Sequence, residues 1–208
     1  MIWHKHLNHD KNTHAFCSAS KYSWRNWDVD KLLQMKAASY AAAIGTAVHE
    51  YAEGNIAKKI RIQKGDKHGV LRHLVVEKKI PERAINIDYI FPTLMMYVND
   101  CIGYRLDPEV YLEFSDDFSG TADALQYENR VLQVSDLKTG VRPASFEQLE
   151  NYASLFCLEY KVNPKDIQKI IFRIYQAGEI QVAEPDPSVI MDVMERMKRT
   201  NSVLEKWY

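Results

Sequence analysis

One short apolar run, Val131 to Lys138, places the strongest constraint on how this chain can fold. It is rich in branched residues and ends at Asp-Leu-Lys-Thr-Gly, which is typical of a buried strand that stops at a turn. Because side chains two apart on a strand share a face, we expect Asp136 and Lys138 to point the same way and Leu137 to point into the core. The run therefore predicts a carboxylate and an ammonium side by side at a strand end.

The segments before and after this run supply further polar groups. Thr121 to Tyr127 has a similar pattern and is predicted to pair with it as an antiparallel strand, with Asp123 near its start. Gly120, just before that strand, permits a close backbone approach. On the helix that follows, Gln148 and Tyr152 share a face, because residues four apart are neighbours on a helix. An amide and a phenol are thus expected to face the strand ends that carry the acids.

Two carboxylates that converge at the edge of a sheet repel each other unless a positive charge lies between them. Asp123 and Asp136 therefore indicate a divalent cation, and carboxylate and carbonyl oxygens suit Mg²⁺ or Mn²⁺ better than Zn²⁺. Lys138 is placed to orient or help activate an attacking water, or to offset charge that develops on a phosphate. The pattern predicts metal-dependent hydrolysis of a phosphodiester.

The ordered set of these motifs resembles the active site of the RecB-like branch of the PD-(D/E)XK nucleases. The matching motifs are Gly120-x-x-Asp123, Asp136-x-Lys138 followed by Thr-Gly, Gln148-x-x-x-Tyr152 and, upstream on a helix, His49. The likeness spans roughly residues 14–175, with motif order and approximate spacing retained. It implies an α/β fold with a restriction-endonuclease-like core, in which helices flank a small mixed central sheet in the order α-β-β-β-α-β.

The resemblance also implies a role for each matching residue. The expected metal ligands are groups from these motifs: His49, Asp123, Asp136 and the backbone carbonyl of Leu137, with Glu113 as a further candidate. The expected catalytic set contains the polar side chains of the strand and helix motifs: Asp123, Asp136, Lys138, Gln148 and Tyr152. Within that set Lys138 would be the catalytic lysine, and the helix pair would support DNA or that lysine. Mg²⁺ or Mn²⁺ is the expected cofactor.

The cysteines bear on a second cofactor. Cys17, Cys101 and Cys157 are widely scattered and odd in number, which argues against a disulfide framework and for a reducing compartment. Some members of the RecB-like branch hold an iron–sulfur cluster with four cysteines, one near the N-terminus and three grouped near the C-terminus. This chain has no such group, and Trp27-Asp28 stands where a Cys-Pro would be expected. We therefore predict no iron–sulfur cluster.

Length and composition favour one soluble globular domain. The chain has 208 residues, of which 46% are hydrophobic and 26% charged. We expect a single nuclease domain over residues 1–208, with 1–17 as a loose N-terminal segment and 61–84 as an inserted loop or hairpin. The apolar stretches are too short for a membrane span and no charged-then-apolar leader opens the chain. The expected location is the cytoplasm, which would be that of the host if the protein is phage-encoded.

The balance of charge limits the mode of DNA binding. With 27 basic and 28 acidic residues the net charge is −1, which is not that of a protein that coats DNA. This charge is compatible with a metal-dependent deoxyribonuclease that handles few nucleotides. The expected form is an exonuclease that acts on DNA ends or single strands in recombination, repair or phage DNA metabolism. A recombination or replication protein is a further expected partner. Two alternatives stay open: a catalytically inactive DNA-binding or partner-binding protein on a nuclease scaffold, and a structure-selective endonuclease.

Overall fold

A computed structural model describes residues 15–207 of the chain, and over that range helices flank one five-stranded sheet. The strands are β1 (Asp107–Ser115), β2 (Phe118–Glu128), β3 (Val131–Lys138), β4 (Lys169–Gln176) and β5 (Glu179–Ala183). The α-helices are α1 (Val29–Ala57), α2 (Lys67–Arg72), α3 (Ile87–Tyr104), α4 (Glu147–Glu159) and α5 (Pro187–Leu204). The expected α/β class and the mixed sheet are confirmed. Residues 1–14 of the expected loose segment 1–17 lie outside the described range.

The sheet places the end of β3 beside a helix that returns over it. Strand order is β1-β2-β3-β4-β5, and every neighbouring pair is antiparallel except β3 and β4. Because parallel strands need a long crossover, α4 connects β3 to β4 and begins next to the end of β3. This connection brings the polar face of α4 to the strand end that carries Asp136 and Lys138.

Two apolar clusters, one on each face of the sheet, hold the helices in place. Val48, Leu94 and Val98, from α1 and α3, are completely buried in one cluster, which also contains Leu137. The other cluster joins β1, β2, β3 and β4 to α4 and α5 through residues such as Leu149. Leu137 thus points into the core, as the alternation along β3 predicts. Within residues 15–207, none of the helices combines the length and apolar character needed to cross a lipid bilayer.

The segment 61–84 differs from the expected loop or hairpin. It forms consecutive short helical pieces, in which a 3₁₀ turn (Lys64–Asp66) leads into α2 and then into a π turn (His73–Glu77). Val70 and Leu74 are fully buried, because residues four apart face the same way on a helix and here face the α1–α3 core. The prediction was wrong because this apolar pair outweighs the turn character of the nearby glycines.

Candidate functional site

The end of β3 and the face of α4 form one hydrogen-bonded chain of polar groups. Lys138 Nζ donates to Asp136 Oδ1 at 2.9 Å and to Gln148 Oε1 at 2.7 Å. Gln148 Nε2 in turn donates to Tyr152 Oη at 3.0 Å. We call these four residues the lysine set. The two sequence motifs, separated by the β3–α4 loop, therefore meet in space as expected.

A second group of polar side chains lies where α1 passes β1 and β2. His49 Nδ1 is 3.3 Å from Asp123 Oδ1, and single ligand atoms of His49, Asp123 and Glu109 all lie within 4.8 Å of one another. We call these three residues the His49 cluster. They line a cleft of about 410 Å³ together with Gly45, Thr46, Glu50 and Glu53. One imidazole nitrogen and two carboxylates form a donor set that suits a divalent cation.

The His49 cluster and the lysine set adjoin each other through Asp123. Its Oδ2 accepts a hydrogen bond from the backbone N–H of Leu137 at 2.8 Å, which fixes the carboxylate next to the end of β3. Asp136, one residue earlier, is 1% exposed, and its Oδ2 has no hydrogen-bond partner within residues 15–207. A buried carboxylate oxygen without a partner is costly. An ion bound between the two aspartates would supply the missing contact, so the residues present fit a divalent cation.

The pKa values of the ionisable groups show that negative charges are crowded together at this site. Burial, followed by the negative charge of Asp123, raises the pKa of Asp136 to about 6, although Lys138 opposes the shift. Burial lowers the pKa of His49, but its hydrogen bond to Asp123 and the surrounding carboxylates outweigh burial, and the net shift is upward. The pKa of Glu109 also rises, through burial and the charge of Asp123. The site has an excess of acidic groups that a bound cation would relieve.

The third acid of the site is not the one that the sequence predicts. Glu113 lies opposite Ser119 in the β1–β2 ladder, about 13 Å along β1 from the position that faces Asp123. Its backbone N–H donates to a carboxylate oxygen of Glu159. The candidate Glu113 is therefore replaced by Glu109, which the sequence analysis missed. Glu109 has a φ of +51°, a left-handed conformation that is rare within a strand and is common at functional sites.

Gly120 has a packing role beside the lysine set. A Cβ atom at this position would lie 3.1 Å from Cε1 of Tyr152, a distance that the ring could accept only by moving. Glycine thus allows the Tyr152 ring to lie directly against β2, where its hydroxyl reaches Gln148. The close approach expected at Gly120 is therefore made by the ring of Tyr152.

Together these features define an α/β domain in which candidate cation ligands and an adjoining lysine lie beside the end of β3. No known family matches the chain, and no curated protein or solved structure is significantly similar to it. What the protein does is therefore inferred from its own residues.

Glu109 and Glu113 provide a matched pair for testing the cation site, since they lie on one strand and differ in whether they join the His49 cluster. Glu109→Gln is expected to weaken Mn²⁺ binding by about tenfold or more, because one charged ligand is lost. Glu113→Gln is expected to leave the affinity within about twofold of the original. Isothermal titration calorimetry with Mn²⁺ measures both. Equal affinities in the two variants would remove Glu109 from the ligand set.

Proposed function

We propose that this protein is a metal-dependent deoxyribonuclease of the PD-(D/E)XK class that hydrolyses DNA phosphodiester bonds, working inward from DNA ends. The observation that carries this proposal is the position of Lys138. Its ammonium is held between Asp136 and Gln148, and the backbone N–H of the preceding residue, Leu137, donates to Asp123 of the His49 cluster. Hydrolysis of a phosphodiester needs a cation to balance charge and a group to orient water. The His49 cluster would hold such a cation, and Lys138 would orient the water.

Mg²⁺ or Mn²⁺ is the proposed cofactor. Its proposed ligands are the acidic and imidazole groups of the site with one backbone oxygen: His49, Glu109, Asp123, Asp136 and the carbonyl of Leu137. When bound, the ion would offset the charge of the phosphate and make a water more acidic. The preponderance of oxygen donors favours Mg²⁺ and Mn²⁺ over Zn²⁺.

Within the lysine set, Lys138 would act on the reacting groups, and Gln148 and Tyr152 would hold it in place. Lys138 would orient the attacking water and balance negative charge that develops on the phosphate. Gln148 fixes the ammonium, because its carbonyl oxygen accepts from Lys138 while its amide nitrogen donates to Tyr152. A flipped amide would turn its nitrogen toward the ammonium and lose the hydrogen bond from Lys138, because both groups are donors. Gln148 and Tyr152 are therefore proposed as positioning residues.

The order of elements also supports the nuclease class. With α2 and α3 lying between α1 and β1, the order α1, β1, β2, β3, α4, β4 has the helix, three strands, helix and strand of the proposed core. Each position that the motifs require for catalysis holds the required polar residue, which counts against a scaffold that has lost its activity. An exonuclease remains the favoured form of the proposal over a structure-selective endonuclease.

The test uses end-labelled linear DNA and covalently closed circular DNA, each incubated with Mg²⁺, Mn²⁺ or chelator. We expect the linear substrate to shorten progressively from its ends with either ion, while circles stay intact and chelator stops the reaction. Cutting of circles would indicate the endonuclease instead. Binding of DNA without metal-dependent cleavage of either substrate would contradict the proposal and favour the inactive binding protein.

A further inference from the structure

An exposed apolar side chain stands at the tip of the loop that leaves the site. The β3–α4 loop, residues 139–146, begins immediately after Lys138, and Val141 within it is 81% exposed. Its neighbour Arg142 is also exposed and has no ion-pair partner within residues 15–207. An apolar group and a free cation are thus presented together next to the catalytic lysine.

A buried glutamine holds this tip rigidly. Gln176, at the end of β4, is 8% exposed. Its Nε2 donates to the carbonyl oxygens of Gly140 and Arg142 at 2.6 and 2.7 Å, and its Oε1 accepts from the N–H of Ala144 at 3.2 Å. The hydroxyl of Tyr89 donates a further hydrogen bond to the Gly140 carbonyl at 3.1 Å. Because the tip is preorganised, a contact made by Val141 costs little conformational entropy.

The loop also borders the cleft of the His49 cluster. A Cβ atom added to Gly45 would lie 3.4 Å from Oγ1 of Thr139, and Gly45 lines that cleft. Val141 follows Thr139 by two residues, a chain length of at most about 7 Å. The tip therefore stands close to the edge of the cleft and three residues along the chain from Lys138.

We propose that Val141 and Arg142 form a binding site for the terminal base pair of a DNA duplex. The valine would lie against the flat apolar face of the pair and loosen it, as apolar side chains do when they enter a base step. The guanidinium would contact the adjacent phosphate. One strand would then separate and enter the site. This inference rests on the proposed function and adds that the substrate is a duplex end.

A duplex end fits this surface better than a protein partner does. One valine between a glycine and an arginine offers far less apolar area than the roughly 800 Å² per partner that a stable protein interface buries. A base pair presents a flat apolar face with phosphates at its edge, which matches one apolar group beside one cation.

Val141→Ala tests the inference, with Val203→Ala as control, because Val203 is a similarly exposed valine (60%) on α5. The measured quantity is the digestion rate of a blunt duplex divided by that of the same sequence as a single strand. We expect Val141→Ala to lower this ratio by about five- to tenfold, through loss of two methyl groups from an apolar contact. The control should leave it unchanged. An unchanged ratio in Val141→Ala would overturn the inference.

A second measurement does not need cleavage. A blunt duplex with 2-aminopurine in its terminal pair is mixed with protein in the presence of chelator, and fluorescence reports unstacking of that base. We expect an increase with the original protein and none with Val141→Ala or Gln176→Glu, since a carboxylate cannot donate to the two loop carbonyls. If this increase occurs without any nuclease activity, the proposed function fails and the inference stands. A protein-docking role for the loop predicts no increase with the original protein, and that result would overturn the inference.

Discussion

Lys138→Met is expected to lower the rate of DNA cleavage by about a hundred- to a thousandfold, the loss typical for a group that orients water or stabilises transition-state charge. Methionine keeps an unbranched apolar stem and removes only the ammonium. Lys138 is partly buried and makes two hydrogen bonds, so its position is set before substrate arrives. DNA affinity should change little, because one of many cations is lost.

Single-turnover cleavage of an end-labelled substrate measures this effect, and a binding titration in chelator separates it from affinity. Lys169→Ala serves as the control, since Lys169 lies at the other end of the parallel β3–β4 pair and forms a surface ion pair with Glu184. We expect the control to cleave at nearly the original rate. Cleavage by Lys138→Met within about tenfold of the original would exclude Lys138 from the catalytic step.

Asp136→Asn is expected to abolish cleavage and yet stabilise the metal-free fold at neutral and alkaline pH. The pKa of Asp136 is about 6 in the folded protein, raised from 3.8 by burial and by Asp123. A raised pKa means that ionising Asp136 costs folding free energy, amounting to at most about 3 kcal/mol for a shift of this size. Asparagine carries no charge, so that cost disappears, while a proposed ligand of the cation is lost.

The expected difference in folding stability between the wild type and Asp136→Asn depends on pH. Below about pH 3 Asp136 is protonated in both the folded and the unfolded chain, so wild type and variant should be similar in stability. Between about pH 4 and pH 6 the unfolded chain has released this proton while the folded chain still holds it, so the wild type should lose stability relative to Asp136→Asn, and the loss should be complete above about pH 6. Urea unfolding in chelator at acidic and alkaline pH measures the difference. Asp107→Asn, an exposed strand aspartate, is the control for the change of charge.

Added Mn²⁺ should reverse the order of stability. An ion that binds only the folded state stabilises it, and it should bind the wild type more tightly than Asp136→Asn, which lacks one proposed ligand. If Asp136→Asn were less stable than the wild type in chelator at alkaline pH, that result would contradict a pKa of Asp136 that is raised by burial and by Asp123.

Local periodicity was enough to predict much of the lysine set. The two-residue alternation along β3 placed Asp136 and Lys138 on one side and Leu137 in the core, and the four-residue spacing placed Gln148 with Tyr152. Each of these relations depends on the geometry of one strand or one helix. They could be predicted because no distant part of the chain changes them.

The identity of the third acid of the site was decided by the tertiary structure. A β1–β2 hairpin that pairs Ser115 with Phe118 predicts Val110 opposite Asp123. An irregularity between Glu113 and Ser115 shifts the register by one residue and brings Glu109 to that position. Likewise, Gln176 reaches the β3–α4 loop only because β4 pairs in parallel with β3. Sequence alone determined which residues share a face, whereas register and long-range contacts depend on how the whole sheet packs.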